Sequence, residues 1–125
     1  MTASPKAPQR RVLFVEDEES LSSAYRRYFD QQLVMAFAAS GEEASVLLET
    51  FDPEVLVLDM RLPDTDGVDL LRRIRARRPD LPVVITTAYA SMRPLLEVMG
   101  MVHSGFLTKP FELAEIGRAS CRERV

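Results

Sequence analysis

Five short apolar runs divide the chain, and between them apolar residues recur at helical spacing. Residues 11–15 (RVLFV), 33–39, 55–58, 83–87 and 106–108 are too short and too continuous for helices, and they predict strands. After Ser20, the residues Leu21, Ala24, Tyr25, Tyr28 and Phe29 fall at i, i+3, i+4, i+7 and i+8, an amphipathic helix. Ala44, Leu47, Leu48 and Phe51 mark a second helix between Gly41 and Pro53. Val68, Leu71 and Ile74 mark a third, with Arg72, Arg73, Arg75, Arg77 and Arg78 read as largely its solvated side. Pro79 and Pro82 bracket the loop to the fourth strand. Ser91 is placed as the cap of a fourth helix, with Pro94 in its first turn. A last helix is expected to start near Glu112.

Strands alternating with helices build βαβ units and a parallel sheet covered on both faces. The fold class read from this is α/β, a flavodoxin-like doubly wound sheet of five strands in the order 2-1-3-4-5. The third strand, Val55 to Leu58, is apolar without alternation, as a strand buried on both faces should be. It runs directly into Asp59, and Pro63, Asp64 and Gly67 supply a turn. In the order 2-1-3-4-5 strands one and three are neighbours, so Glu16 and Asp17 meet Asp59 at the carboxyl edge of the sheet, where ligands gather.

Composition narrows the picture. With 125 residues, 46% hydrophobic and 28% charged, the chain is one ordinary globular domain. A net charge of -3 argues against nucleic-acid binding by this domain, and no apolar run approaches the ~20 residues of a membrane span. Residues 1–10 lack the apolar core of a secretory signal and read as a disordered leader. A single cysteine permits no internal disulfide and is compatible with a cytoplasmic setting.

The carboxylates at 16, 17 and 59 repel one another unless a cation joins them. Oxygen ligands with no histidine or second soft donor suit Mg²⁺, or Mn²⁺ in its place. Thr87 closes strand four and Lys109 closes strand five at the same edge. A metal, an ammonium and a hydroxyl around one aspartate can hold a phosphoryl group with the aspartate as nucleophile. Lys109-Pro110 is a candidate cis peptide bond. His103 reads as a loop residue, and Met92, Met99 and Met101 as packing residues.

Residues 11–114 resemble the receiver domain of two-component response regulators. The resemblance rests on Glu16-Asp17 after strand one, LDMRLPDTDG around Asp59, Thr87-Ala88 after strand four, and FLTKPF at 106–111. It implies that Asp59 accepts a phosphoryl group from a sensor histidine kinase or phosphotransfer protein. It implies Mg²⁺ held by Asp17, Asp59 and the backbone carbonyl of Arg61, with Glu16 assisting through water. Lys109 would pair with Asp59 and then with the phosphoryl oxygens. Thr87 and Phe106 would form the switch, and the face of helix four, strand five and helix five would signal to a downstream effector domain or partner. Arg61 and Tyr89, each two residues past a motif residue, are read as flanking the path of attacking water and tuning phosphoryl lifetime. The chain departs from the family pattern in having Glu at 16 and Phe at 106. The family resemblance implies a cytoplasmic signalling module rather than a turnover enzyme, limited to its own phosphoryl transfer and autodephosphorylation.

Residues 115–125 lack the apolar period of a fifth helix, and from Ile116 onward they resemble the translation of a sequencing adapter. They are read as a non-native tail, with the last helix truncated or replaced. Two other functions are weighed. A haloacid-dehalogenase-like Mg²⁺ phosphohydrolase also uses an aspartate after a strand, but wants an acid where Arg61 stands. A flavodoxin-like cofactor binder needs a phosphate-cradling loop where this chain has four acids, Glu16 to Glu19.

Overall fold

The computed structural model describes residues 9–101 and 103–121. The leader up to residue 8 and the last four residues of the tail lie outside the described residues. The order of elements is β1 (Arg10–Val15), α1 (Glu19–Tyr28), β2 (Leu33–Ala38), α2 (Gly41–Thr50), β3 (Val55–Asp59), α3 (Gly67–Arg77), β4 (Val83–Thr87), α4 (Met92–Val98), β5 (Gly105–Thr108) and α5 (Leu113–Cys121). The five strands form one parallel sheet in the order β2-β1-β3-β4-β5, as the pattern predicts. β3 and β4 are buried along their whole length, which explains the unbroken apolar runs Val55–Leu58 and Val83–Ile85.

Each strand sends alternate residues to opposite faces. Leu13, Leu56, Leu58, Val83 and Ile85 face a core closed by Leu48 of α2, Leu70, Leu71 and Ile74 of α3, and Leu96 of α4. Val12, Phe14, Val55, Val57 and Val84 face a second core closed by Tyr25 of α1 and by Ile116 and Ala119 of α5.

Four expectations are corrected. Arg10 is part of β1 rather than the leader: it pairs with Leu33 in the sheet, and its guanidinium donates to the Ser120 carbonyl at 3.0 Å. Ser91 occupies the N-cap of α4, but its backbone is already helical and its side chain makes no capping bond. Arg75 and Arg78 are not simply solvated. Arg75 donates to the carbonyls of Arg78, Pro79 and Leu81, and Arg78 reaches the Pro53 carbonyl at 3.2 Å and Asp52 at 3.1 Å. Arg75 closes the α3–β4 loop and Arg78 ties that loop to the α2–β3 loop, each by hydrogen-bonding carbonyls that loops leave free.

The fourth correction concerns α5. The sheet receives a helix at Leu113–Cys121, in which Leu113, Ile116 and Ala119 recur at helical spacing on one face. Ile116 and Ala119 are buried in the core that holds Phe29 and Val84, and Leu113 packs half-buried against it. Ser120 is also buried, and its hydroxyl is satisfied by the Ile116 carbonyl at 2.8 Å.

Candidate functional site

Three strand ends deliver the chemistry. Glu16 follows β1 and is held by its amide to the Ala38 carbonyl at 2.9 Å. Asp59 closes β3 opposite Thr86 of β4. Lys109 follows β5, its amide bound to the Thr87 carbonyl at 2.7 Å, and the Lys109-Pro110 bond is cis. Glu16 and Asp59 are buried, whereas Asp17 is exposed at the mouth. Ligand oxygens of these three carboxylates lie within 4.8 Å of one another. They open on a cleft of about 460 Å³ shared with Arg61, Pro63, Ala88 and Lys109.

Lys109 ties the acids together. Its Nζ donates to Glu16 Oε1 at 3.1 Å and Oε2 at 3.4 Å and lies 3.5 Å from Asp59 Oδ2. Burial opposes its charge, but the Glu16 and Asp59 carboxylates outweigh burial and raise its pKa. Glu16 is the strained partner. Burial first, and then repulsion from Asp59, push its pKa up to about 7 despite the Lys109 ammonium. One lysine does not neutralise this cluster, so the donor set, hard oxygens with excess negative charge, fits a small divalent cation.

The loop from Met60 to Gly67 is closed upon itself. Gly67 donates to the Met60 carbonyl at 3.1 Å, and Arg61 and Asp66 form a bridge. A Cβ at position 67 would stand 2.5 Å from Met60 Cα, so only glycine allows this approach. Asp66 caps α3 through the Val68 amide at 2.8 Å. Asp64 reaches across to α2, accepting from the Gly41 and Glu42 amides at 2.8 and 3.0 Å. The segment after Asp59 is thus pinned to both neighbouring helices.

The predicted site residues divide into two groups. Glu16, Asp17, Asp59, Arg61 and Lys109 are brought together around the cleft. The Arg61 amide also donates to Asp59 Oδ1 at 3.3 Å, and its guanidinium donates to the Tyr89 hydroxyl at 3.1 Å. Thr87 is buried beside them without lining the cleft, its Oγ1 accepting from the Tyr89 amide at 3.2 Å. Alternation along β4 turns Thr87 toward the α2–α3–α4 core, the core against which Phe106 packs. Phe106 is half-buried between the Arg93 guanidinium and the His103 ring, each 6.0 Å from its centroid.

Two hydroxyls lie outside the predicted site: Tyr25, overlooked in the sequence, and Thr86, which alternation along β4 directs away from Thr87. Thr86 and Tyr25 belong to Asp59's side of the sheet, and both hydroxyls are buried without a hydrogen-bond partner. Tyr25 belongs to the amphipathic stripe of α1, where a phenol and a phenylalanine look alike. Residues 12–120 match the response regulator receiver domain family. The chain belongs to that family. The receiver domain is 34% identical over 99 residues to the regulatory protein LuxO of Vibrio vulnificus, covering 78% of this chain and 22% of the relative. It is 33% identical over 111 residues to the transcriptional regulatory protein PhoP of Escherichia coli, covering 85% of this chain and 48% of the relative. The chain therefore spans less than half the length of these relatives. Among solved structures it resembles the non-phosphorylated HemR receiver domain from Leptospira biflexa, with a TM-score of 0.80, 32% identity and 93% of each chain covered. It also resembles the receiver domain of the Francisella response regulator 1452, with a TM-score of 0.80, 27% identity, and 92% and 99% of the two chains covered. Nothing in the site favours a haloacid-dehalogenase-like hydrolase, since position 61 offers a guanidinium bound to Tyr89 rather than an acid.

Proposed function

We propose that Asp59 is the phosphoacceptor of this receiver domain. The observation that carries the proposal is the placement of Asp59: buried, 3.5 Å from Lys109 Nζ, and clustered with Glu16 and Asp17 at the carboxyl edge of the sheet. An Asp59 oxygen attacks the phosphorus of a phosphohistidine on a sensor kinase or phosphotransfer protein. The P–N bond breaks, its electron pair leaves with the imidazole nitrogen, and that nitrogen takes up a proton. Lys109 turns from the carboxylates toward the phosphoryl oxygens. Thr87 donates its hydroxyl to them, and Phe106 moves with Thr87 on their shared side of the sheet.

Asp17, Asp59 and the Arg61 carbonyl would hold Mg²⁺ or Mn²⁺, with Glu16 reaching it through water. The cation supplies charge neutralisation for the phosphoryl oxygens. Arg61 and Tyr89, joined at the mouth of the cleft, restrict the approach of water and lengthen the life of the acyl phosphate. The readout passes through the face of α4, β5 and α5 to an effector domain or partner. Signalling of this kind belongs to the cytoplasm, with no membrane or nucleic-acid contact by this domain; no described helix is long and apolar enough to cross a membrane.

Incubation with acetyl phosphate and Mg²⁺, followed by intact mass measurement, tests the assignment. The folded protein should gain one phosphoryl group, Asp59→Asn should gain none, and Asp17→Ala should lose the dependence on metal. An unchanged mass for the folded wild type sinks it. We further propose that residues 115–125 are not part of the natural gene product; sequencing the genomic locus across the Leu113 codon tests this.

A further inference from the structure

Helix α2 takes the partners of its first-turn amides from two places. Ser40, its own N-cap, accepts from the Glu43 amide at 3.2 Å. The Gly41 and Glu42 amides are satisfied instead by Asp64, 23 and 22 positions away, whose two carboxylate oxygens accept at 2.8 and 3.0 Å. Every helix leaves such amides free, and a side chain next to them in sequence usually serves. A carboxylate brought in from another loop does more than cap, because it fixes two distant segments against each other.

Both segments belong to the surroundings of the acidic cleft. The contact is shaped for closeness: a Cβ at Gly41 would stand 2.6 Å from the Thr65 methyl, so the bare glycine makes the seat for the loop. Arg73 steadies Thr65 by donating to its hydroxyl at 3.2 Å. Three residues before Asp64 comes Arg61, whose amide donates to Asp59 Oδ1 at 3.3 Å, and Pro63 stiffens the backbone between them. Beyond the contact, the turn into α2 carries the Ala38 carbonyl that holds the Glu16 amide at 2.9 Å, and the Ala39 amide donates to Glu43 Oε1 at 2.7 Å. Asp64 thus bridges the backbone that bears Arg61 and the backbone that anchors Glu16.

We propose that Asp64 is a positioning residue that couples the cation site to the N-terminus of α2. A loop held to α2 keeps the Arg61 carbonyl available to the cation. A cation held by that carbonyl in turn keeps Asp64 on the Gly41 and Glu42 amides, since coupling between two sites is reciprocal. The inference rests on the reading in which Asp17, Asp59 and the Arg61 carbonyl hold Mg²⁺.

The test titrates Mg²⁺ calorimetrically against the full chain as wild type, Asp64→Ala, Asp64→Asn and Ser40→Ala, well below the melting temperature of each. Amide hydrogen exchange at Gly41 and Glu42 is followed by NMR with and without Mg²⁺. Asp64→Ala should lose about tenfold in Mg²⁺ affinity, the scale seen when a group supporting a metal ligand is removed. Asp64→Asn keeps one acceptor oxygen and should lose about threefold. Ser40→Ala removes only the local cap and so weakens α2 without freeing the loop; its affinity should stay within about twofold of wild type. Mg²⁺ should slow exchange of the Gly41 and Glu42 amides in wild type, and this slowing should disappear in Asp64→Ala. Equal affinities of wild type and Asp64→Ala overturn the inference. Equal losses in Asp64→Ala and Ser40→Ala also overturn it, because any weakening of α2 would then suffice. Exchange at Gly41 and Glu42 that ignores Mg²⁺ in wild type removes the coupling. A wild type that binds no Mg²⁺ overturns the cation site first and the inference with it, a failure recognisable without any variant.

Discussion

Lys109 donates to both oxygens of Glu16, at 3.1 and 3.4 Å, and so holds the glutamate more closely than it holds Asp59 at 3.5 Å. The resting ion pair of this receiver domain is centred on its first acid. That acid is the longer glutamate rather than aspartate, and the extra methylene lets it reach the ammonium directly.

The Glu16 pKa is raised from 4.5 to about 7 by burial and by Asp59. Between those values the folded state holds a proton that the unfolded state has lost, so metal-free stability falls as pH rises through that window. Glu16→Gln removes this penalty. At pH 8 without divalent ions the variant should be more stable than wild type by roughly 1–2 kcal/mol, after discounting the shift for solvent screening. The advantage should vanish near pH 4.5. Thermal melts across this range check it; parallel curves for the two proteins would contradict the assignment.

Gly67→Ala should destabilise the domain. The new Cβ would meet Met60 Cα at 2.5 Å and the Met60 carbonyl at 2.9 Å, backbone atoms that cannot step aside. A loss of roughly 2–3 kcal/mol is expected in urea titration. Metal affinity should fall with it, because the same loop carries the Arg61 carbonyl. A variant of wild-type stability would mean that the loop has an alternative closure.

Tyr89→Phe removes the hydroxyl to which Arg61 donates at 3.1 Å. Both side chains are exposed, so the melting temperature should hardly change. The acyl phosphate should hydrolyse about two- to tenfold faster, as the loss of one ordinary hydrogen bond predicts. Decay of the phosphorylated form, followed by mass, measures this, and an unaltered lifetime would remove Tyr89 from the gate.

Gly117→Ala should stabilise α5. The added methyl would lie 3.4 Å from a Phe29 ring carbon, an ordinary contact, and glycine inside a helix costs about 0.5–1 kcal/mol relative to alanine. A higher melting temperature is the expected result. A drop would show that the helix sits closer to Phe29 than these distances allow.

The α/β alternation, the strand order and the placement of Glu16, Asp17, Asp59 and Lys109 at one edge were legible because each rests on local signals. Unbroken apolar runs, helical spacing and Pro/Gly punctuation act within a few residues. Ser91 misled because a serine at the right position says nothing of its backbone conformation. Helix α5 misled because its apolar face is short, only Leu113, Ile116 and Ala119, and shows as a stripe once a groove receives it. Arg75 and Arg78 misled because charge suggests solvent, while a loop's carbonyls are equally good partners.

By itself the sequence determined which elements form, in what order, and which acids stand at the ends of the strands, since these follow from periodicity and turn chemistry. Only the tertiary structure decided which carboxylate Lys109 holds, that Arg61 meets Tyr89, and that the Tyr25 hydroxyl is buried without a partner. Those are relations between distant residues; Lys109 and Glu16 stand 93 positions apart. Their outcome depends on side-chain reach, burial and competing charges that exist only after the sheet has assembled.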